Sequence, residues 1–286
     1  MTDSQRLNGI IRAWESGKPA FTCFAKVDKL SAQEMSDAPY DGVVFEMEHN
    51  PYDVAGLGDA LQYMLNRKKI AETSSIAPGV TPVARIPANG GEMNQFQAKQ
   101  VLDRGVYGVI TPHVSTVQHA YNAVASCRYA RPTGAALYEP KGLRGDGPAT
   151  AARYWGLSQP DYYAKADVWP LAPHGEILVG LMIESPEAIE NLDDMLANVP
   201  GIGFCLIGEG DLSQALGYPR QYEHPEVLDA MRRIVEVCHK HNVPVGNPHT
   251  NAKNVERLLQ EGYRFLMSAP SRSYGVVGQG RELAGY

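Results

Sequence analysis

The chain has 286 residues, with 26 Lys and Arg against 32 Asp and Glu, a formal net charge of −6 and no basic run, which disfavours a nucleic-acid partner. Its hydrophobic fraction of 44% is ordinary for a globular protein, and no apolar stretch approaches the ~20 residues of a membrane helix. Cys23, Cys127, Cys205 and Cys238 are scattered without a C-x-x-C pair, which suits reduced, buried thiols, and the polar opening Met1 to Arg6 lacks the basic-then-apolar order of a secretory signal, so a cytoplasmic protein is expected.

In chain order, Leu7 to Glu15 is amphipathic and suited to closing the bottom of a barrel, and Ala20 to Ala25 is a first strand. Gly42 to Glu48 is a second strand, stopped by the turn signal Asn50-Pro51, and Val54 to Leu65 is helical through Leu57, Leu61, Met64 and Leu65. Thr81 to Pro87 is the third strand, Phe96 to Leu102 a helix, Tyr107 to Thr111 the fourth strand and Thr116 to Tyr129 another helix. Pro and Gly then punctuate an excursion from Arg131 to Gly175, with short helices possible at Ala149 to Trp155 and Pro160 to Ala166. Regular order resumes in strands at Glu176 to Ile183, Ile202 to Gly208, Val243 to Asn247 and Tyr263 to Met267. Between them lie helices at Pro186 to Leu196, Leu212 to Leu216 with Pro225 to His241, and Ala252 to Glu261. Strands alternating with helices over this length predict one α/β domain, a (β/α)8 TIM barrel spanning 1–286 with the excursion 131–175 between strands four and five.

Catalytic groups of such barrels sit at the C-terminal strand ends. Read in order, those ends carry Glu48-His49, Arg85, Thr111-Pro112-His113, Glu184, Gly208 to Asp211 and Asn247-Pro248-His249. Each has an ordinary reading when taken singly: Glu184 can open a helix, Asp211 can cap one, Arg85 can pair with a carboxylate, His49 can open a loop, and His113 and His249 read as exposed loop histidines. Their convergence argues for a site. Glu184 and Asp211, each ending one of two consecutive apolar strands, match the one or two carboxylates that hold magnesium or manganese while water and substrate fill the other positions.

Several landmarks together resemble the HpcH/HpaI aldolase family, the class II, metal-dependent pyruvate aldolases that include 2,4-dihydroxyhept-2-ene-1,7-dioate aldolase and 2-dehydro-3-deoxyglucarate aldolase. They are Glu48-His49-Asn50-Pro51, the strand Pro82 to Pro87, Leu102 to Gly105, the loop Lys141 to Gly145, the strand ending at Glu184, and the run Gly208 to Tyr218. The resemblance implies Glu184 and Asp211 as ligands of a divalent ion (Mg²⁺, Mn²⁺ or Co²⁺), Arg85 beside the keto oxygen, and His49 with Asp103 as the proton-transfer dyad. It also implies Arg144 as a substrate contact, the backbone N–H groups of Gly210 and Asp211 as the seat of the substrate carboxylate, and a homo-oligomer, a hexamer in the family. The reaction implied is cleavage or formation of a 4-hydroxy-2-oxo acid through a pyruvate enolate and an aldehyde. Asp103 precedes strand four and so belongs to the far face of the barrel, where it would serve a neighbouring subunit's site. The excursion, with Tyr154, Trp155, Tyr162 and Tyr163, is expected to pack on that neighbour, the alternative being that it folds back over its own barrel as a lid.

The chain departs from the family where Glu209 and Gly210 replace a Pro-Ala pair, where Met182 replaces a Gln, where Asn89 is followed by Gly90-Gly91-Glu92, and in a longer segment from Asn66 to Gly79. These changes bear on acceptor specificity. Two other readings are a citrate-lyase-β-like acyl-CoA lyase, which would call for a basic nucleotide-recognising surface, and a non-catalytic barrel that binds a 2-oxo acid, which would need neither His49 nor Arg85.

Overall fold

The protein is described here by a computed structural model covering residues 6–88, 93–268 and 274–286. Helix α1 (Gly9–Glu15) is followed by β1 (Ala20–Ala25), α2 (Lys29–Met35), β2 (Gly42–Glu46), α3 (Val54–Met64), α4 (Arg67–Thr73), β3 (Thr81–Arg85), α5 (Phe96–Arg104), β4 (Gly108–Thr111) and α6 (Val117–Ser126). The excursion contains α7 (Ala149–Trp155), α8 (Gln159–Lys165) and the two-residue β5 (Val168–Trp169). Then come β6 (Ile177–Ile183), α9 (Pro186–Asn198), β7 (Phe204–Ile207), α10 (Glu209–Ala215), α11 (Pro225–Lys240), β8 (Val245–Thr250), α12 (Val255–Gln260), β9 (Phe265–Ser268) and α13 (Tyr274–Leu283).

The strands pair in the order β4-β3-β2-β1-β9-β8-β7-β6, all in parallel, and β4 pairs with β6 to close an eight-stranded barrel; β5 adds a short edge beside β6. A parallel sheet closes this way because each strand is apolar on both faces, one against the helices and one against the axis. The axis side is a distinct cluster of Val44, Val83, Ile110, Leu178, Met182, Phe204, Leu206, Phe265 and Met267, joined by Ile10 and Ile11 from α1. Helix α1 plugs the bottom as expected. Asn8 caps it, accepting from the N–H groups of Ile10 and Ile11, and Glu176 at the foot of β6 accepts from the N–H groups of Leu7 and Asn8. Because side chains alternate along a strand, the axis-facing series continues upward to Glu46, Arg85, Glu184 and Gly208 at the mouth.

The excursion differs from expectation. Its aromatic residues pack on their own chain: Trp155 and Tyr162 are fully buried, and Trp155 stacks on Tyr107 with centroids 4.2 Å apart while its Nε1 donates to Gly105 O at 2.8 Å. Gly105, with φ +115°, lets Tyr154 lie against the end of α5, since a Cβ there would come within 2.6 Å of that ring. Only Tyr163 of the four is exposed. The physical reason is that two one-sided helices offer their aromatic faces to α5 and β4, a surface already present in the same chain. Helices α2, α4 and α13 were also not anticipated, and α10 begins at Glu209 rather than Leu212. No helix among the described residues is long and apolar enough to cross a membrane.

Candidate active site

At the mouth, Arg85 links two carboxylates of the β2 end. Its Nε donates to Glu46 Oε2 at 2.6 Å, Nη2 pairs with the same oxygen, and Nη1 lies 2.9 Å from Glu48 Oε2. The guanidinium also sits over the Phe24 ring, 4.6 Å from its centroid, and Met182 Sδ lies 3.6 Å from Nη1. Glu46 Oε1 accepts from the N–H groups of Glu48 and His49, so one buried carboxylate both fixes Arg85 and shapes the turn after β2. A guanidinium held this way is a rigid fork, not a mobile charge.

Glu184 is 3% exposed. Its Oε1 accepts from the N–H of His113 at 2.5 Å, while Oε2, also buried, has no hydrogen-bond partner among the described residues. Gly208, just after β7, lets the Glu184 side chain lie against its backbone: a Cβ there would come within 2.3 Å of that oxygen. Burial pushes the Glu184 carboxyl up from the usual carboxylate range; the His113 N–H and ring oppose this, and the charges of Glu48 and Asp211 add to it. Burial likewise pushes Glu48 up, against the Arg85 charge. His113, in the left-handed region at φ +54°, puts its ring between these acids, with Nδ1 3.6 Å from Glu184 and Nε2 3.8 Å from Glu48.

A desolvated carboxylate oxygen without a donor, in the field of further acids, suits a cation. The described residues hold no group of three or more His, Cys, Asp or Glu in ligand geometry. Asp211, in the first turn of α10, is exposed and close enough for its charge to act on Glu184. Gly210 faces open space.

The remaining expected residues lie further out. The His49 side chain is 68% exposed, with Nε2 3.6 Å from Glu48 Oε2. Arg144, from the excursion, pairs at 2.9 Å with Asp103 in the last turn of α5. The Arg144 side chain has no exposed surface and also donates to Tyr162 Oη. Burial raises the Asp103 carboxyl, and Arg144 draws it back. Asn89, Gly90, Gly91 and Glu92 lie outside the described residues.

Two features were missed in the sequence. Glu46 could have been found by carrying the Val44 alternation two residues on. The other is a second carboxylate–histidine pair, Glu209 with His249, whose Oε2 and Nδ1 are 2.5 Å apart. One residue opens α10 and the other lies near the end of β8, and neither segment carries a local signal of that contact.

A protein-family model described as HpcH/HpaI aldolase/citrate lyase matches residues 22–270. The hydroxypyruvate/pyruvate aldolase of Rhizorhabdus wittichii is 28% identical over 268 residues, 92% of each chain. The 5-keto-4-deoxy-D-glucarate aldolase of Klebsiella pneumoniae is 29% identical over 242 residues, 85% of this chain and 82% of that one. An HpcH/HpaI aldolase/citrate lyase family protein from Burkholderia cenocepacia shares the fold, with a TM-score of 0.74 and 22% identity over 96% of both chains.

Proposed function

The chain belongs to the HpcH/HpaI aldolase/citrate lyase family, and from that premise we propose that it is a divalent-metal-dependent aldolase, forming and cleaving 4-hydroxy-2-oxo acids through a pyruvate enolate. The observation that carries this reading is the unpartnered Glu184 Oε2 opposite Gly208, with Arg85 fixed on the same side of the barrel. Glu184 and Asp211 would hold Mg²⁺, Mn²⁺ or Co²⁺. When bound, the ion supplies a Lewis acid for the keto oxygen on which enolate charge develops.

The chain's own residues do the rest. Each terminal nitrogen of Arg85 has two hydrogens, so pairing with Glu46 and Glu48 leaves N–H groups to donate to the developing oxyanion. The N–H groups of Gly210 and Asp211, in the first turn of α10, receive the substrate carboxylate. His49, at the rim and near Glu48, moves the proton at C3 and the proton of the 4-hydroxyl, directly or through one water. Asp103 serves a neighbouring subunit's His49. Arg144, with its side chain enclosed, acts by holding Asp103 and not by touching substrate. This makes the protein a homo-oligomer acting on a 2-oxo acid and an aldehyde.

The test is hydrogen exchange. Protein incubated with pyruvate and Mg²⁺, Mn²⁺ or Co²⁺ in D₂O is expected to deuterate C3, and a chelator is expected to stop it. Turnover of an acyl-CoA without pyruvate exchange would replace the aldolase with the lyase, and binding of pyruvate without exchange would leave a non-catalytic barrel.

A further inference from the structure

On the face of the barrel opposite the mouth lies a cavity of about 280 Å³ that the proposed chemistry does not use. One wall is the connection from α3 to β3, which carries α4 and is the segment that runs longer here than in the resembling sequences. The other walls include Arg12 of α1, Tyr107 just before β4, and Tyr154 of α7. The strands begin on this side, so it is the bottom of the barrel. The Leu178 N–H donates to Tyr107 O at 2.9 Å, which sets Tyr107 level with the foot of β6. From Leu178 to Glu184 the chain rises by about 20 Å, at about 3.3 Å per residue.

The lining has one sign of charge. Among the described residues it holds two cations, Arg12 and Lys69, and no carboxylate. Lys69 is already paired with Asp37 at 3.0 Å. Arg12 makes no ion pair among the described residues: its Nη1 reaches Arg6 O at 3.4 Å, and Asp41, the acid that feels its charge, is bound by Arg281 at 2.9 Å. An unpaired guanidinium is a planar donor fork that matches a carboxylate. Tyr154 is 6% exposed, and its buried Oη has no hydrogen-bond partner among the described residues, which is costly unless something accepts from it. Burial pushes the Tyr154 and Tyr107 phenols up, so both keep their hydrogens and are donors. Ile70 and Ile76 supply an apolar side, and Ile70 is exposed on a helix that buries none of its own residues. Helices draw most of their stability from packing, so α4 gains contact when this cavity is filled.

We propose that this cavity is a second binding site, on the face opposite the mouth, for a small monocarboxylate with an apolar body of about one ring. The Arg12 guanidinium takes the carboxylate, a phenol hydrogen donates to it, and Ile70 and Ile76 cover the body. The size agrees, since a ring alone fills a cavity of about 150 Å³ and the remainder here holds the head group. A doubly charged or phosphorylated compound is not matched, because only one lining cation among the described residues lacks a counter-charge. The site stands independently of the aldolase reading.

The experiment titrates the full-length protein, with Mg²⁺ present, with benzoate and with hexanoate, and follows the methyl resonances of Ile70 and Ile76 by NMR. Both are expected to shift saturably, with half-saturation at or below about 1 mM. Arg12→Gln is expected to weaken binding by about 10–100-fold, the size of a lost charge-assisted contact, and Tyr154→Phe by about 3–10-fold. Because Tyr154 Oη has no partner among the described residues, Tyr154→Phe without ligand should unfold no earlier than the parent, which separates its loss of binding from a loss of fold. Neutral benzamide and inorganic phosphate are expected to leave both resonances in place. No saturable shift in the millimolar range, equal shifts with benzamide or phosphate, or unchanged affinity in Arg12→Gln overturns the proposal. Shifts confined to other methyls would place the carboxylate elsewhere and overturn it as well.

Discussion

Gly208 shows how far one missing side chain shapes the site. The Cβ of Gly208→Ala would fall 2.3 Å from Glu184 Oε2 and 2.6 Å from its Cβ, and Glu184 is locked in place by the His113 N–H, so the carboxylate must move. Metal affinity is expected to drop by about 10–100-fold, as when support around a ligand is lost, with the fold retained. Titration calorimetry with Mn²⁺ checks it, with Glu184→Gln as the reference for complete loss; undiminished affinity in either variant would remove Glu184 from the metal site. Arg85→Lys tests the oxyanion donor. An ammonium cannot bridge Glu46 and Glu48 and still aim a donor at the substrate, so turnover is expected to fall by about 10²–10³-fold, the scale of a lost oxyanion donor. Near-parental turnover by steady-state kinetics would exclude Arg85 from the chemistry.

Among the elements, the excursion is anchored by a buried ionic knot. Arg128 makes a two-point contact with Asp167, donating from Nε at 2.7 Å and from Nη2 at 3.0 Å, and Arg131 reaches Asp167 Oδ2 at 2.6 Å. Arg128 also donates to the carbonyls of Leu137 and Pro140, tying the irregular stretch to the end of α6. Asp167→Ala leaves Arg128 buried without its counter-charge, a change that costs about 3–5 kcal/mol and frees the segment for limited proteolysis. Burial alone would raise the Asp167 carboxyl, but the bonds from Arg128 and the Val168 N–H, helped by Arg131, hold it below its ordinary 3.8. A depressed folded pKa gives stability that is present above that ordinary value and lost as pH falls through the folded one. The parent and Asp167→Ala should therefore differ most near neutrality and converge in acid; unfolding curves that stay parallel down to low pH would count against the assignment.

The same elements show what sequence pattern could and could not reveal. The barrel strands were legible because apolar runs bounded by turns are what a sheet buried on both faces requires. Glu184 and Arg85 were legible because a charge ending such a run has few other reasons to be there. Helix α4 was not, since it buries none of its residues and carries no apolar stripe, and α2 hid behind an exposed Leu30 with Ser31 and Ala32 on its buried side. The seat of Trp155 depends on Tyr107 and Gly105, and the setting of His249 on Glu209; both are pairings between distant parts of the chain, which local periodicity does not encode.

At the scale of the whole molecule, the open matter is what Asp103 serves. Its Oδ1 takes both contacts from Arg144, leaving Oδ2 without a partner among the described residues, in the last turn of α5. An Arg with a fully enclosed side chain that holds one edge of a partly exposed carboxylate presents the other edge outward, as a residue acting on a neighbouring subunit requires. A purely structural ion pair would leave the same edge to water. The two roles separate by complementation. Asp103→Asn and His49→Ala are each expected to be inactive alone. If the site is shared, mixing them under conditions that exchange subunits should restore part of the activity, because some mixed interfaces join an intact His49 to an intact Asp103. Exchange is followed by native mass spectrometry of differently tagged chains. A mixture shown to be exchanged that stays inactive would refute the shared site, and an active monomer would do so without mixing.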